Sequence, residues 1–155
     1  IATARAEGFR SVIKNDKRFN FIHSEDGDFL RSRGKEIMDS IIKENGGLKI
    51  GNEPIDVIFS HNDPMTLGLL DSLEQHQISP KNTIIISIDA EQESIDALIN
   101  GKLNCVVECN PKLGPTLMDL VQKVASGETI PRTTYMEETV FTENDDFSTY
   151  EPRGY

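Results

Sequence analysis

The sequence predicts an α/β fold of three layers, a parallel sheet with helices on both of its faces. Two β-branched runs, Val57-Ile58-Phe59 and Ile84-Ile85-Ile86, are short and wholly apolar, as strands buried on both sides require. Between and after them lie stretches whose apolar residues recur at three and four positions, the spacing of crossover helices in right-handed βαβ units. Each run also ends in polar residues, Ser60-His61-Asn62-Asp63-Pro64 and Asp89, just before the next helical stretch. In open α/β sheets, ligands bind beyond those carboxyl ends.

In chain order, Ile1, Ala4, Phe9, Val12 and Ile13 predict a helix over 1–15. Phe19–Ser24 alternates and predicts a short strand. Asp28 is a candidate N-cap for a helix over 29–43, whose inward residues are Phe29, Ile37, Met38, Ile41 and Ile42 and which Gly46-Gly47 ends. A strand over 56–60 leads into a helix that runs to about Gln77, with Asp63 suited to cap it and Pro64 to its first turn. Thr83–Ile88 is a strand, Ser94–Asn100 a short helix closed by Gly101, and Leu103–Glu108 another strand. Pro111–Ser126 is a helix with one stripe of Leu113, Leu117, Leu120, Val121 and Val124; Thr133–Phe141 alternates weakly, as an edge strand would.

Composition narrows the function. The 155 residues carry a formal charge of −10, a field that repels duplex nucleic acid and anionic membrane, so neither is expected as a partner. No run has the length of a membrane-spanning helix, so membrane insertion is not expected either. Cys105 and Cys109 fall four apart on or just beyond one strand, about 13 Å at strand rise. That exceeds the roughly 7 Å within which two α-carbons can be bridged. Two isolated thiols do not make a four-ligand zinc site, and no metal or cofactor is expected. There is no G-x-S-x-G elbow, phosphate-binding loop or G-x-G-x-x-G fingerprint, so no enzyme is expected and no residue is assigned a catalytic role. Ile1 opens directly into a helical pattern, which suggests a piece of a longer or processed chain.

The candidate ligand-binding residues are those at the strand tips. Asn62 offers both donor and acceptor and Asp89 offers acceptors, a set that matches adjacent sugar hydroxyls. Asp63 either joins them or caps its helix. Asp89 either binds ligand or caps the next helix, since an unpaired carboxylate cannot stay in a core. Arg31 either reaches the same edge with its planar donors or pairs with Asp28 or Glu25 on the surface. His23, His61 and His76 read as ordinary polar residues.

These residues sit in motifs that resemble the second half of a type I periplasmic sugar-binding protein of an ABC importer. The motifs are R-A-E-G-F (5–9), G-D-F-L-R-S-R-G (27–34), H-N-D-P-M-T-L-G (61–68), S-I-D-A (87–90) and N-G-K-L-N-C-V-V-E-C-N-P (100–111). The E-C-N-P-x-L-G-P run and V-F-T (140–142) are most similar to the galactofuranose-binding branch of the ribose/galactose-binding superfamily. The resemblance implies the second lobe of a two-lobed fold, without its first lobe and without the central strand of this one. Residues 1–110 would form most of the lobe, 111–130 a helix crossing to the first lobe, 131–142 a returning strand and 143–155 an acidic tail. Arg31, Asn62, Asp89 and Cys109 would contact a monosaccharide, with Asp63, Glu108 and Asn110 as further candidates. Cys109 stands where the ribose and galactose binders carry an amide.

The implied partners are a monosaccharide, the first lobe and an ABC permease, and the implied location is periplasmic or cell-surface. The chain is expected not to hold a native fold without the missing half. The rival reading is a sugar-responsive effector domain of a lac-repressor-like regulator; a sugar-modifying enzyme is a third.

Overall fold

The computed structural model describes all 155 residues. In chain order these form α1 (Ala2–Ile13), α2 (Arg31–Asn45), β1 (Lys49–Ile50), β2 (Glu53–Pro54), β3 (Val57–Phe59), α3 (Asp63–Gln75), β4 (Ile84–Asp89), α4 (Gln92–Ile99), β5 (Cys105–Glu108), α5 (Gly114–Ala125) and β6 (Val140–Thr142). The main sheet runs β3-β4-β5-β6. The first three strands are parallel, with Val57 opposite Ile84 and Asp89 opposite Glu108; β6 returns antiparallel to β5. The core joins helices to sheet through Met38, Leu67, Leu70, Leu73, Ile85, Ile95, Leu98, Leu103 and Val106.

Helices α2 and α3 pack closer than ordinary side chains allow, and two glycines make this possible. A Cβ on Gly34 would stand 2.3 Å from the Met65 carbonyl oxygen, and one on Gly68 2.0 Å from that of Arg31. A polar cluster crosses the same interface: Asp39 accepts from Lys35 Nζ (2.8 Å) and Ser72 Oγ (2.6 Å), and its Oδ1 lies 3.0 Å from His76 Nε2. Lys35 first, then Ser72, hold the Asp39 carboxyl well below its ordinary value of 3.8. Stabilisation from a depressed carboxylate is complete above the unfolded value and is lost as pH falls through the folded one. The thermal midpoint should therefore drop between about pH 4 and pH 2. Asp39→Asn should lower the midpoint at neutral pH and flatten that descent; an unchanged descent would remove Asp39 as its source.

Three expectations need correction, and one element was not expected. Phe19–Ser24 is not a strand. An extended segment becomes a strand only by pairing, and the side of β3 away from β4 carries no strand to pair with. Asp28 does not cap α2; Leu30 holds that position without a side-chain bond, while Asp28 and Phe29 turn through left-handed backbone (φ 52° and 59°). The returning strand is confined to Val140–Thr142. The unforeseen β1-β2 hairpin turns on Gly51-Asn52, with Gly51 at φ 58° and its N–H held by Asn45 Oδ1 (2.8 Å).

Burial is uneven. Ile85 on β4 is fully buried, yet its neighbour Ile84 is 50% exposed, so two-sided burial fails at the start of that strand. Neither α1 nor α5 buries a single residue, and the α5 stripe of Leu117, Met118, Val121 and Val124 stays more than half exposed.

Candidate functional site

Because β3, β4 and β5 are parallel, the chain leaves all three at one edge, at Ser60, Asp89 and Glu108. One guanidinium ties two of these tips together. Arg5 of α1 donates to the His61 carbonyl and, from Nη2, to Asp89 Oδ1 at 2.7 Å. Both side chains are largely shielded, Arg5 17% and Asp89 25% exposed, so the charge-assisted bond is partly desolvated. Asp89 Oδ2 has no hydrogen-bond partner in the protein. Arg5 was not among the expected site residues. Phe9 stacks on Phe59 at 4.4 Å, which brings Arg5, four residues earlier on the same helix face, to the end of β3; in the sequence Arg5 stood out only as part of the R-A-E-G-F motif.

The tip of β4 is also strained. Asp89 and Ala90 adopt φ of 120° and 65°, costly for residues with a Cβ. The Cys109 N–H donates to the Asp89 carbonyl (3.1 Å), extending the ladder one step past β5. Asp89, Glu91, Cys109, Pro111 and Tyr155 line an open cleft of about 490 Å³ at this edge. Burial, with Asp63 and Asp89 nearby, raises the Glu91 carboxyl above its ordinary value.

Asn62 and Asp63 divide their work differently from the simplest expectation. Asn62 caps α3: its Oδ1 accepts from the Met65 N–H (3.1 Å), while its Nδ2 donates to the Phe29 carbonyl (3.1 Å) and docks the turn before α2. Asp63 is wholly buried, so it neither caps α3 nor faces the cleft. It accepts from Ser87 Oγ on β4, from Ser94 Oγ (2.6 Å) and from the Glu91 N–H (2.6 Å). Burial still raises its carboxyl above the ordinary value despite these donors. The network fixes the start of α3 against β4 and the start of α4, and so sets the spacing of the tips.

Three of the remaining candidates are engaged by the protein itself, and the fourth stays at the cleft. Arg31 forms an exposed triad with Asp71 (2.7 Å) and Glu93 (2.8 Å), which bridges α2, α3 and α4 and uses donors on all three of its nitrogens; the pairing with Asp28 or Glu25 is not formed either. Glu108 is 6% exposed and accepts from Arg153, from Tyr155 Oη (3.0 Å) and from the Thr139 N–H (2.9 Å). Asn110 shapes the turn into α5, its Oδ1 accepting from the Lys112 N–H (2.9 Å). Cys109 is an exposed free thiol at the cleft. His61, packed edge-on to Phe59, is shifted below its ordinary value by burial and then by Arg5. No three His, Cys, Asp or Glu side chains gather as a metal site, and no helix is long and apolar enough to cross a membrane.

An open α/β sheet with a partly desolvated arginine–aspartate pair across neighbouring strand tips is the build of a polar-ligand binding lobe. Residues 1–129 match the family model described as a periplasmic binding protein domain, and the chain belongs to that family. It is 34% identical over 133 residues to the galactofuranose-binding protein YtfQ of Escherichia coli K12, covering 84% of this chain and 40% of that one. A Mycobacterium smegmatis protein solved in complex with β-D-fucofuranose superposes with a TM-score of 0.78 at 37% identity, over 92% of this chain and 45% of the other. The binding protein of the arabinose ABC transporter of Shewanella sp. ANA-3, bound to L-arabinofuranose, gives 0.78 at 30% identity, over 92% and 46%. The chain spans about two fifths of the length of the curated relatives it matches.

Proposed function

We propose that this chain is the second lobe of the substrate-binding component of an ABC sugar importer, working outside the cytoplasm and delivering a monosaccharide to a membrane permease. One observation carries the reading: Arg5 and Asp89 are joined across the tips of β3 and β4, with a carboxylate oxygen of Asp89 left for a ligand. A sugar hydroxyl donates to Asp89 while a neighbouring hydroxyl or ring oxygen accepts from Arg5; Cys109 lines the same cleft, and Asn62, buried as the α3 cap, holds the β3 tip in place. The relative named for galactofuranose, and those solved with fucofuranose and arabinofuranose bound, favour a five-membered-ring sugar. A first lobe of the same protein would cover the open α5 stripe and close over the cleft. Closure excludes water and strengthens every hydrogen bond in the site.

The test is native mass spectrometry and calorimetry on the natural-length protein, with methyl β-D-galactofuranoside, L-arabinose, D-ribose and D-galactose as probes. Tight binding of one of them, recovered unchanged after prolonged incubation, is the expected result. Binding of none would overturn the reading, and conversion of a bound sugar would replace it with an enzymatic one.

A further inference from the structure

We infer that the segment Arg153–Tyr155 is a strap that builds one wall of the ligand cleft, with Tyr155 as a specificity-determining contact for the sugar; this rests on the proposed reading of the cleft. The segment lies far from Asp89 in sequence and falls in the stretch expected to be an acidic tail, yet several bonds pin it to the carboxyl edge of the sheet. The Arg153 N–H donates to Gln92 Oε1 (2.6 Å), and the Gln92 N–H donates to the Tyr155 carbonyl (2.7 Å), which clips the strap to the first residue of α4. The Arg153 guanidinium donates to the buried Glu108 at the end of β5, and Tyr155 Oη donates to the same Glu108 oxygen (3.0 Å). Arg153 Nε donates to Tyr155 Oη (3.0 Å), and its guanidinium lies 5.0 Å from the Tyr155 ring centre and 5.1 Å from that of Phe141.

The chemistry of these bonds is lopsided in an informative way. A buried carboxylate at a strand tip needs a cationic partner, and Arg153 is that partner for Glu108. Tyr155 needs none of this for its own burial, because it remains partly exposed. Its hydroxyl is fixed by two charged groups, Lys112 Nζ lies 5.4 Å from its ring centre, and the residue lines the same cleft as Asp89, Glu91, Cys109 and Pro111. A cleft lined by carboxylate acceptors and an anchored aromatic residue fits a ligand that carries both hydroxyls and C–H bonds, as a monosaccharide does. A ring held without rotational freedom discriminates ring sizes and epimers better than a mobile one, since no ordering cost is left to absorb a misfit.

The test compares natural-length protein with Tyr155→Ala, Tyr155→Leu and Arg153→Ala by calorimetry, using methyl β-D-galactofuranoside and L-arabinose. Tyr155→Ala should lose about 10-fold in affinity for the better probe and change the affinity ratio between the two. Tyr155→Leu keeps an apolar side chain at the cleft and should still shift the ratio. Arg153→Ala frees the ring but also leaves the buried Glu108 carboxylate without its cation, so it should weaken binding several-fold and lower the melting temperature. Native affinities and an unchanged ratio in Tyr155→Ala and Tyr155→Leu, even with a lowered melting temperature, would make the strap purely structural and overturn the inference alone. Failure of the unaltered protein to bind either probe or any other monosaccharide would overturn the sugar reading itself.

Discussion

Replacing Asp63 by Ala should destabilise the protein by roughly 3 kcal/mol, since each buried polar group left without its partner costs about 1–3 kcal/mol. Asp63 is fully buried and serves three donors, the hydroxyls of Ser87 and Ser94 and the Glu91 N–H. Its removal orphans the Glu91 N–H and leaves the two hydroxyls with only their weaker alternatives, Thr66 for Ser87 and the Glu91 carbonyl for Ser94. Removal of a buried negative charge offsets part of the loss. Asp63→Asn keeps one acceptor and the shape, and should lose about half as much. Because the network also spaces the β3 and β4 tips, both variants should weaken ligand binding beyond what their stability predicts. Urea unfolding of the natural-length protein reads the first effect and calorimetry the second. A loss below about 1 kcal/mol for Asp63→Ala would mean that water replaces the carboxylate without penalty.

Gly68→Ala should be comparably damaging, at about 3 kcal/mol, near the upper end of ordinary overpacking. The added methyl would meet the Arg31 carbonyl carbon and oxygen and the Lys35 N–H, all backbone atoms, so no side-chain rotation relieves it. The helices must separate, and with them the Asp39 cluster that spans their interface. Gly34→Ala meets the Met65 backbone in the same way. Gly27→Ala is the control: its nearest neighbour is the flexible Met65 Sδ, and it should cost far less. Equal losses at Gly27 and Gly68 by urea unfolding would contradict the close backbone approach.

The parallel strands and most helices were legible in the sequence because their apolar periodicity is local. Val57-Ile58-Phe59 and Ile84-Ile85-Ile86 have no competing reading, and their parallel pairing placed the tips at a common edge. Phe19–Ser24 has equally good alternation but needs a neighbour, and pairing is decided elsewhere in the chain. The site was legible as a place more than as a set of contacts. Asn62 and Asp89 lie on the expected edge, but the division of labour between Asn62 and Asp63 depends on which of two adjacent polar residues points inward, a matter of one backbone turn. Arg31 was drawn to the edge by proximity in sequence, whereas Asp71 and Glu93, each one or two helices away, offer its guanidinium two carboxylates. Arg5 and the Arg153–Tyr155 strap belong to segments at the two ends of the chain. Only the folded arrangement brings them to Asp89 and Glu108.

The most direct test of the proposed sugar site is the affinity of the Asp89→Ala variant of the natural-length protein for the sugar that the unaltered protein binds, measured by calorimetry alongside a melting curve. A hydrogen bond to a charged group contributes about 1.5–3 kcal/mol, so affinity should fall at least about 10-fold while the fold is retained. Unchanged affinity in a folded Asp89→Ala protein would place the ligand elsewhere and remove the joined strand tips as the binding site.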